Sequence, residues 1–184
     1  MNSRGAASPS YAPMKLTRYL KPPQIRVELK TRTPPEIPEG WSEERFQWSV
    51  KEQVIQELVE LIDASGRVSN KSKLLTDLIN RERKATTAIG DGLAVPHVRT
   101  MQAKDLVIFF ARSTAGVEFM ALDHKPVHLF IGVVAPPYDD ALYLQLYKKI
   151  AQAFGSEAAR QKLMTAGDEH EVIKILSDVE GWDA

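Results

Sequence analysis

Two uninterrupted apolar runs, residues 106–111 (LVIFFA) and 127–135 (VHLFIGVVA), constrain this chain most. A strand with one wet face alternates apolar and polar residues; an unbroken Val/Ile/Phe-rich run belongs to a strand covered on both faces. Covering layers are present in the same sequence. Val50, Val54, Ile55, Leu58, Leu61 and Ile62 share one helical face, as do Leu74, Leu75, Leu78 and Ile79. Leu142, Leu146, Ile150, Ala153 and Phe154 make a third such face, and shorter helices are predicted over residues 156–165 and 168–179. Strands interspersed with helices define an α/β layered architecture, and 184 residues suit a single domain with a sizeable core.

The punctuation agrees. Residues 15–20 predict a helical turn stopped by Pro22 and Pro23. Ile25, Val27 and Leu29 alternate with Arg26, Glu28 and Lys30, the period of a half-buried strand. Pro34, Pro35, Pro38 and Gly40 make residues 31–41 a loop. Ser42 or Ser49 caps the following helix, Gly66 sits past its end, and Asn70 caps the next.

Charge narrows the function. Lys+Arg and Asp+Glu both number 24, so nothing draws the chain electrostatically to nucleic acid or a lipid surface. There is no cysteine, which excludes disulfides and thiolate metal sites and fits a cytoplasmic chain. No apolar run approaches the ~20 residues of a membrane-spanning helix. No metal-ligand spacing occurs, and no metal or cofactor is expected. Residues 1–13 lack the apolar segment of a secretory signal and read as a disordered leader or an artificial N-terminal remnant, with Met14 a candidate start.

One stretch carries the chemistry: residues 86–100, TTAIGDGLAVPHVRT. Gly90 and Gly92 permit backbone angles that a Cβ would penalise. Leu93, Ala94 and Val95 form a short buried strand; Pro96 lacks an N–H, ends that strand and aims His97. Imidazole has an ordinary pKa of ~6.5 and offers a neutral nucleophilic nitrogen near pH 7. On the turn alone, His97 reads first as an inert, hydrogen-bonded histidine.

Residues 80–97, NRERKATTAIGDGLAVPH, resemble the signature of the fructose/mannitol-type enzyme IIA domains of the bacterial phosphotransferase system, and most of all the nitrogen-regulatory branch. Arg81, Glu82, Thr87, Gly90, Gly92, Ala94, Pro96 and His97 occupy the signature's places. Residues 116–136, GVEFMALDHKPVHLFIGVVAP, match a second family segment in register, and the helical C-terminus a third. The resemblance spans residues 14–179, with an unusual loop at residues 32–48, and assigns residues 14–184 to one enzyme IIA-like domain. It implies a central mixed β-sheet flanked by helices.

It also implies a function: a cytoplasmic phosphocarrier, a phosphotransferase component, that takes a phosphoryl group on His97, usually on Nε2, from a small phosphocarrier resembling HPr. A nitrogen-type relative would regulate target proteins by its phosphorylation state. Two alternatives stand beside this: a degenerate interaction module that has lost transfer, and a sugar-specific IIA component serving a separate permease. Arg81, 16 residues before His97, is where the family places its phosphate-facing arginine; by itself it also suits a helix C-terminus. Glu82 reads as a structural residue that orients Arg81 or Arg83. Thr87 hydrogen-bonds the His97 loop or closes its own turn. Gly90 and Gly92 are conformational, or turn backbone N–H groups toward a phosphate. Arg99 helps hold the phosphoryl group or faces solvent.

Two departures stand out. Val98 replaces the family's usual Gly after Pro-His and is expected to crowd the donor's approach. Ala141 stands where many relatives carry a second histidine, behind Asp139 and Asp140, whose carboxylates are expected to repel a phosphoryl dianion. Tyr138 reads as the only neutral donor nearby. His124 and His170 look like surface residues and His128 like a strand-face residue, while Trp41, Trp48 and Trp182 read as packing anchors.

Overall fold

The computed structural model describes residues 15–138 and 140–180; the leader, Met14, Asp139 and Trp182 lie outside them. A mixed sheet forms the centre. Its strands are β1 (Ile25–Arg26), β2 (Ala88–Gly90), β3 (Leu93–Ala94), β4 (His97–Arg99), β5 (Val107–Val117) and β6 (Val127–Ala135). They lie in the order β1-β5-β6-β3-β2, with β4 also paired to β6. The two apolar runs are the central antiparallel pair, Phe109 opposite Gly132 and Phe110 opposite Ile131.

Alternation along these strands feeds two cores. Val107, Phe109, Ala111, Phe130 and Val134 pack under α1 (Glu43–Asp63) and α2 (Lys71–Lys84). Ile108, Phe110, Leu129, Ile131 and Val133 pack under α3 (Asp140–Gly155), α4 (Glu157–Thr165) and α5 (Glu169–Glu180). The helix starts follow capping chemistry. The Ser42 hydroxyl accepts from Arg45 N at 3.2 Å, with Glu43 and Glu44 in the first turn, so Ser42 and not Ser49 opens α1. Asn70 opens α2 by accepting from Lys73 N at 2.9 Å.

The first strand is shorter than its alternation predicts. Glu57 of α1 accepts from Lys30 N at 2.9 Å and Thr31 N at 2.5 Å and pairs with Arg26 at 2.8 Å. That carboxylate draws the chain off the sheet toward α1, while Leu29 N still donates to Arg112 O at 2.7 Å and Glu28 accepts from Thr114 N at 3.2 Å. The loop that follows is tied down where Glu118 N donates to the Thr33 hydroxyl at 2.7 Å.

Pro96 interrupts its strand without ending it. Leu93 pairs with Leu129 and His97 with Val133, an offset of 129 − 93 = 133 − 97 = 36 on both sides of the proline. Proline donates no N–H to this ladder, yet Pro96 O still accepts from Val133 N at 3.2 Å. Gly132 makes this approach feasible: a Cβ there would stand 2.2 Å from Pro96 O and 2.2 Å from Phe109 Cζ. Gly132→Ala is expected to lower stability by about 1–3 kcal/mol, the range for overpacking a tight site. An unchanged urea midpoint would show that β6 can back away from the proline.

Candidate functional site

His97 starts β4, an edge segment with α2 close by and α3 above its outer face. Its ring is half-buried. Nδ1 lies 2.7 Å from Val95 O, and Nε2 lies 2.9 Å from Arg81 Nη2. A carbonyl only accepts and a guanidinium only donates, so these two contacts fix the tautomer. Nδ1 carries the proton and Nε2 presents its lone pair. The same geometry opposes protonation of the ring. Burial lowers the His97 pKa most, the Arg81 charge lowers it further, and the Val95 carbonyl and Glu82 partly oppose them.

Arg81 comes from the last turn of α2, where its Nη1 donates to Ala85 O at 3.0 Å. Its neighbour Glu82 turns inward and is 4% exposed. That carboxylate pairs with Lys51 Nζ at 2.8 Å and accepts from Thr87 N at 2.7 Å and the Thr87 hydroxyl at 2.9 Å. Glu82 is therefore structural, as expected, but its partners are Lys51 and Thr87 and not Arg81 or Arg83. Thr87 is buried; its hydroxyl is spent on Glu82, and its carbonyl accepts from Val95 N at 3.0 Å. Lys51, 1% exposed, also donates to the Thr86 hydroxyl at 3.1 Å and lies 4.5 Å from the centre of the Phe119 ring. Burial pulls its pKa down while Glu82 opposes.

Gly90 and Gly92 lie in the β2–β3 turn with φ of 103° and 72°. Gly92 O accepts from His128 N and Leu129 N at 2.8 and 2.9 Å, stitching that turn to the start of β6. Arg99 lies on the same face of β4 as His97. It pairs with Asp140, donates to Pro137 O at 3.4 Å, and sits 5.9 Å from the Tyr143 ring. The Asp140 carboxylate is thus engaged by a cation. Val98 points the other way, into the α1/α2 core, and does not crowd the imidazole. Ala141, exposed, is the second residue of α3. His128 Nδ1 lies 3.1 Å from Ser113 O.

Sequence reasoning missed Lys51, Tyr143 and Tyr147. Tyr147 meets His97 edge-on with ring centres 5.4 Å apart, and Tyr143 lies 6.3 Å away, so Tyr138 is not the only phenol nearby. The four-residue spacing of Tyr143 and Tyr147 puts both on one helical face, a signal that was available. Lys51 gave none, since an isolated lysine in a helix reads as solvated.

A mixed sheet between a two-helix and a three-helix layer, with an edge imidazole gripped by a guanidinium, places this chain with the IIA domains of the phosphotransferase system. It belongs to the family described as "Phosphoenolpyruvate-dependent sugar phosphotransferase system, EIIA 2", whose model matches residues 43–179. Domains of this family are phosphocarriers. The chain is 32% identical to the fructose-specific EIIA component of Haloferax volcanii, over 71% of this chain and 85% of that one. It is 31% identical to the fructose-specific EIIABC component of Bacillus subtilis, over 89% of this chain but only 23% of that longer protein. A nitrogen regulatory protein of Bradyrhizobium diazoefficiens is 28% identical over 69% of this chain and 82% of its own length. Among solved structures, the nitrogen regulatory protein IIA-Ntr of Neisseria meningitidis superposes with a TM-score of 0.72 at 25% identity, covering 88% of this chain and 98% of that one. The IIA mannitol structure from Escherichia coli shares the fold, with a TM-score of 0.65 at 21% identity, covering 85% of this chain and 98% of that one.

Two predictions follow from the geometry. Lys51→Met or Glu82→Gln alone should cost about 3–5 kcal/mol by urea denaturation, because each strands a buried polar partner. The double variant should cost less than the sum; strict additivity would mean that the two groups do not interact. The His97 ring, followed by NMR, should titrate below its ordinary ~6.5, and Arg81→Ala should raise the midpoint. A depressed folded pKa means the unfolded chain binds the proton first, so this ring's contribution is full above ~6.5 and is lost as pH falls toward the folded value.

Proposed function

We propose that His97 accepts a phosphoryl group from the phosphohistidine of an HPr-like donor, and that the chain acts in the cytoplasm as a regulator whose protein contacts depend on that modification. The observation that carries this reading is the fixed tautomer: Nε2 holds a lone pair at a half-exposed edge with Arg81 in contact.

In the transfer, the Nε2 lone pair attacks phosphorus as the donor's P–N bond breaks. That bond's electron pair returns to the donor's ring nitrogen. Positive charge developing on the His97 ring is met by the Val95 carbonyl at Nδ1–H. Arg81 exchanges its contact with Nε2 for the arriving phosphoryl oxygens, a fork that Lys would not reproduce. Alignment and charge stabilisation are the main demands of such a step, and no metal is needed for it.

The nitrogen regulatory relatives support the regulatory role. The fructose-specific relatives favour a second reading, delivery of the phosphoryl group to a sugar-specific IIB partner. Incubation with enzyme I, HPr and phosphoenolpyruvate should add one acid-labile phosphoryl group, absent in His97→Ala. Arg81→Ala should slow loading by about 10²–10³-fold, with Arg81→Lys failing to restore it. No mass gain would refute the carrier reading, and rapid onward transfer to a fructose-type IIB would select the second role.

A further inference from the structure

We propose that Tyr143 is a second phosphoryl-binding residue of this site, its hydroxyl donating a hydrogen bond to an oxygen of the group on His97 Nε2 from the side opposite Arg81. This rests on the carrier reading above.

Arg81 belongs to α2 on one face of the sheet and Tyr143 to α3 on the other; the imidazole lies at the edge between them. A phosphoryl group on Nε2 displaces Arg81 from its present contact and needs donors for oxygens that one guanidinium cannot cover. Arg99 is on the correct face, but it already donates to the Asp140 carboxylate and the Pro137 carbonyl. That engagement holds the guanidinium 5.9 Å from the Tyr143 ring. Tyr143 therefore packs against both His97 and Arg99, and its hydroxyl lies in the field of Arg81 as well as Arg99. Burial, then the neighbouring Tyr147, raises its pKa above the ordinary phenol value against the pull of the two cations, so it remains a protonated donor. Tyr147 meets the imidazole edge-on with ring centres 5.4 Å apart and also lines a cleft of about 350 Å³ with Leu93, Val95, Ile150 and Phe154.

The pair also explains how a site with Ala141 at the mouth of α3 can hold an anion without another imidazole. A phenol does not titrate between pH 6 and 8, so its donation stays constant through the range in which a histidine partner would change charge.

The test uses Tyr143→Phe, which keeps the ring and removes only the hydroxyl. The equilibrium of phosphoryl exchange with phosphorylated HPr should move toward HPr by about tenfold, the effect of one hydrogen bond to a charged group. Separately, wild type and variant are loaded with phosphoramidate, a small-molecule donor, and the phosphorus-31 resonance absent in His97→Ala is titrated. The phosphoryl ionisation should lie higher in Tyr143→Phe, because the dianion has lost a donor. Equal exchange constants and equal titrations would overturn the proposal, as would a loss confined to Tyr147→Phe. Loading by phosphoramidate but not by HPr would refute the carrier reading while the titration still decides Tyr143. Failure of both routes at His97 would refute both.

Discussion

The arrangement depends on one buried contact, Lys51 Nζ to Glu82 at 2.8 Å, with both side chains 3% exposed or less. Desolvating two ions is costly, and the pair is tolerable because the remaining hydrogen-bonding capacity is used. Glu82 takes three donors, two of them from Thr87. Lys51 reaches the Thr86 hydroxyl and lies near the Trp48 and Phe119 rings. Three pieces of chain meet there: the middle of α1, the last turn of α2 and the entry to β2. Thr87, fixed by Glu82, accepts from Val95 N through its carbonyl; the carbonyl of Val95 in turn accepts a hydrogen bond from His97 Nδ1–H. A core ion pair thus sets which imidazole nitrogen is free.

The last turn of α2 divides its labour by helical geometry. Adjacent residues point about 100° apart, so Glu82 goes inward while Arg81 lies along the surface and reaches His97. The ring it meets stays neutral through burial first and the guanidinium second. Phosphorylation would convert that neutral ring into a group carrying roughly two negative charges, set between Arg81 and the Arg99–Asp140 pair. A change of that size at a half-exposed edge can alter what a partner protein meets. No regular element needs to move for it.

Much of this was legible in the sequence because hydrophobic period and capping are local. The apolar runs and the caps at Ser42 and Asn70 sit in short windows, whereas the placing of Arg81 with His97 rested on the resemblance to the family signature. What escaped depends on contacts distant in sequence. Glu57 shortens β1 by collecting Lys30 and Thr31 across 27 and 26 residues. Lys51 meets Glu82 from another helix, and Tyr143 meets His97 from α3, which covers the same face of the sheet. The cation that Asp140 pairs with, Arg99, is likewise distant in sequence.

Val98 shows how a local rule can be right and misapplied. A β-branched residue after Pro-His looks like an obstacle only if the segment is a loop, free to point any side chain at the donor. The pairing offset to β6 is unchanged across Pro96, so the strand's alternation continues through it. Leu93, Val95 and His97 share the α3 face, while Ala94 and Val98 enter the α1/α2 core. Proline-for-strand arithmetic therefore hides a stronger statement. Once Leu93 is known to face α3, two-residue periodicity already directs His97 there, and a glycine at position 132 is what lets the interrupted strand lie close enough to keep count. The imidazole is aimed by the sheet, which is why a bulky neighbour on the opposite face leaves it free.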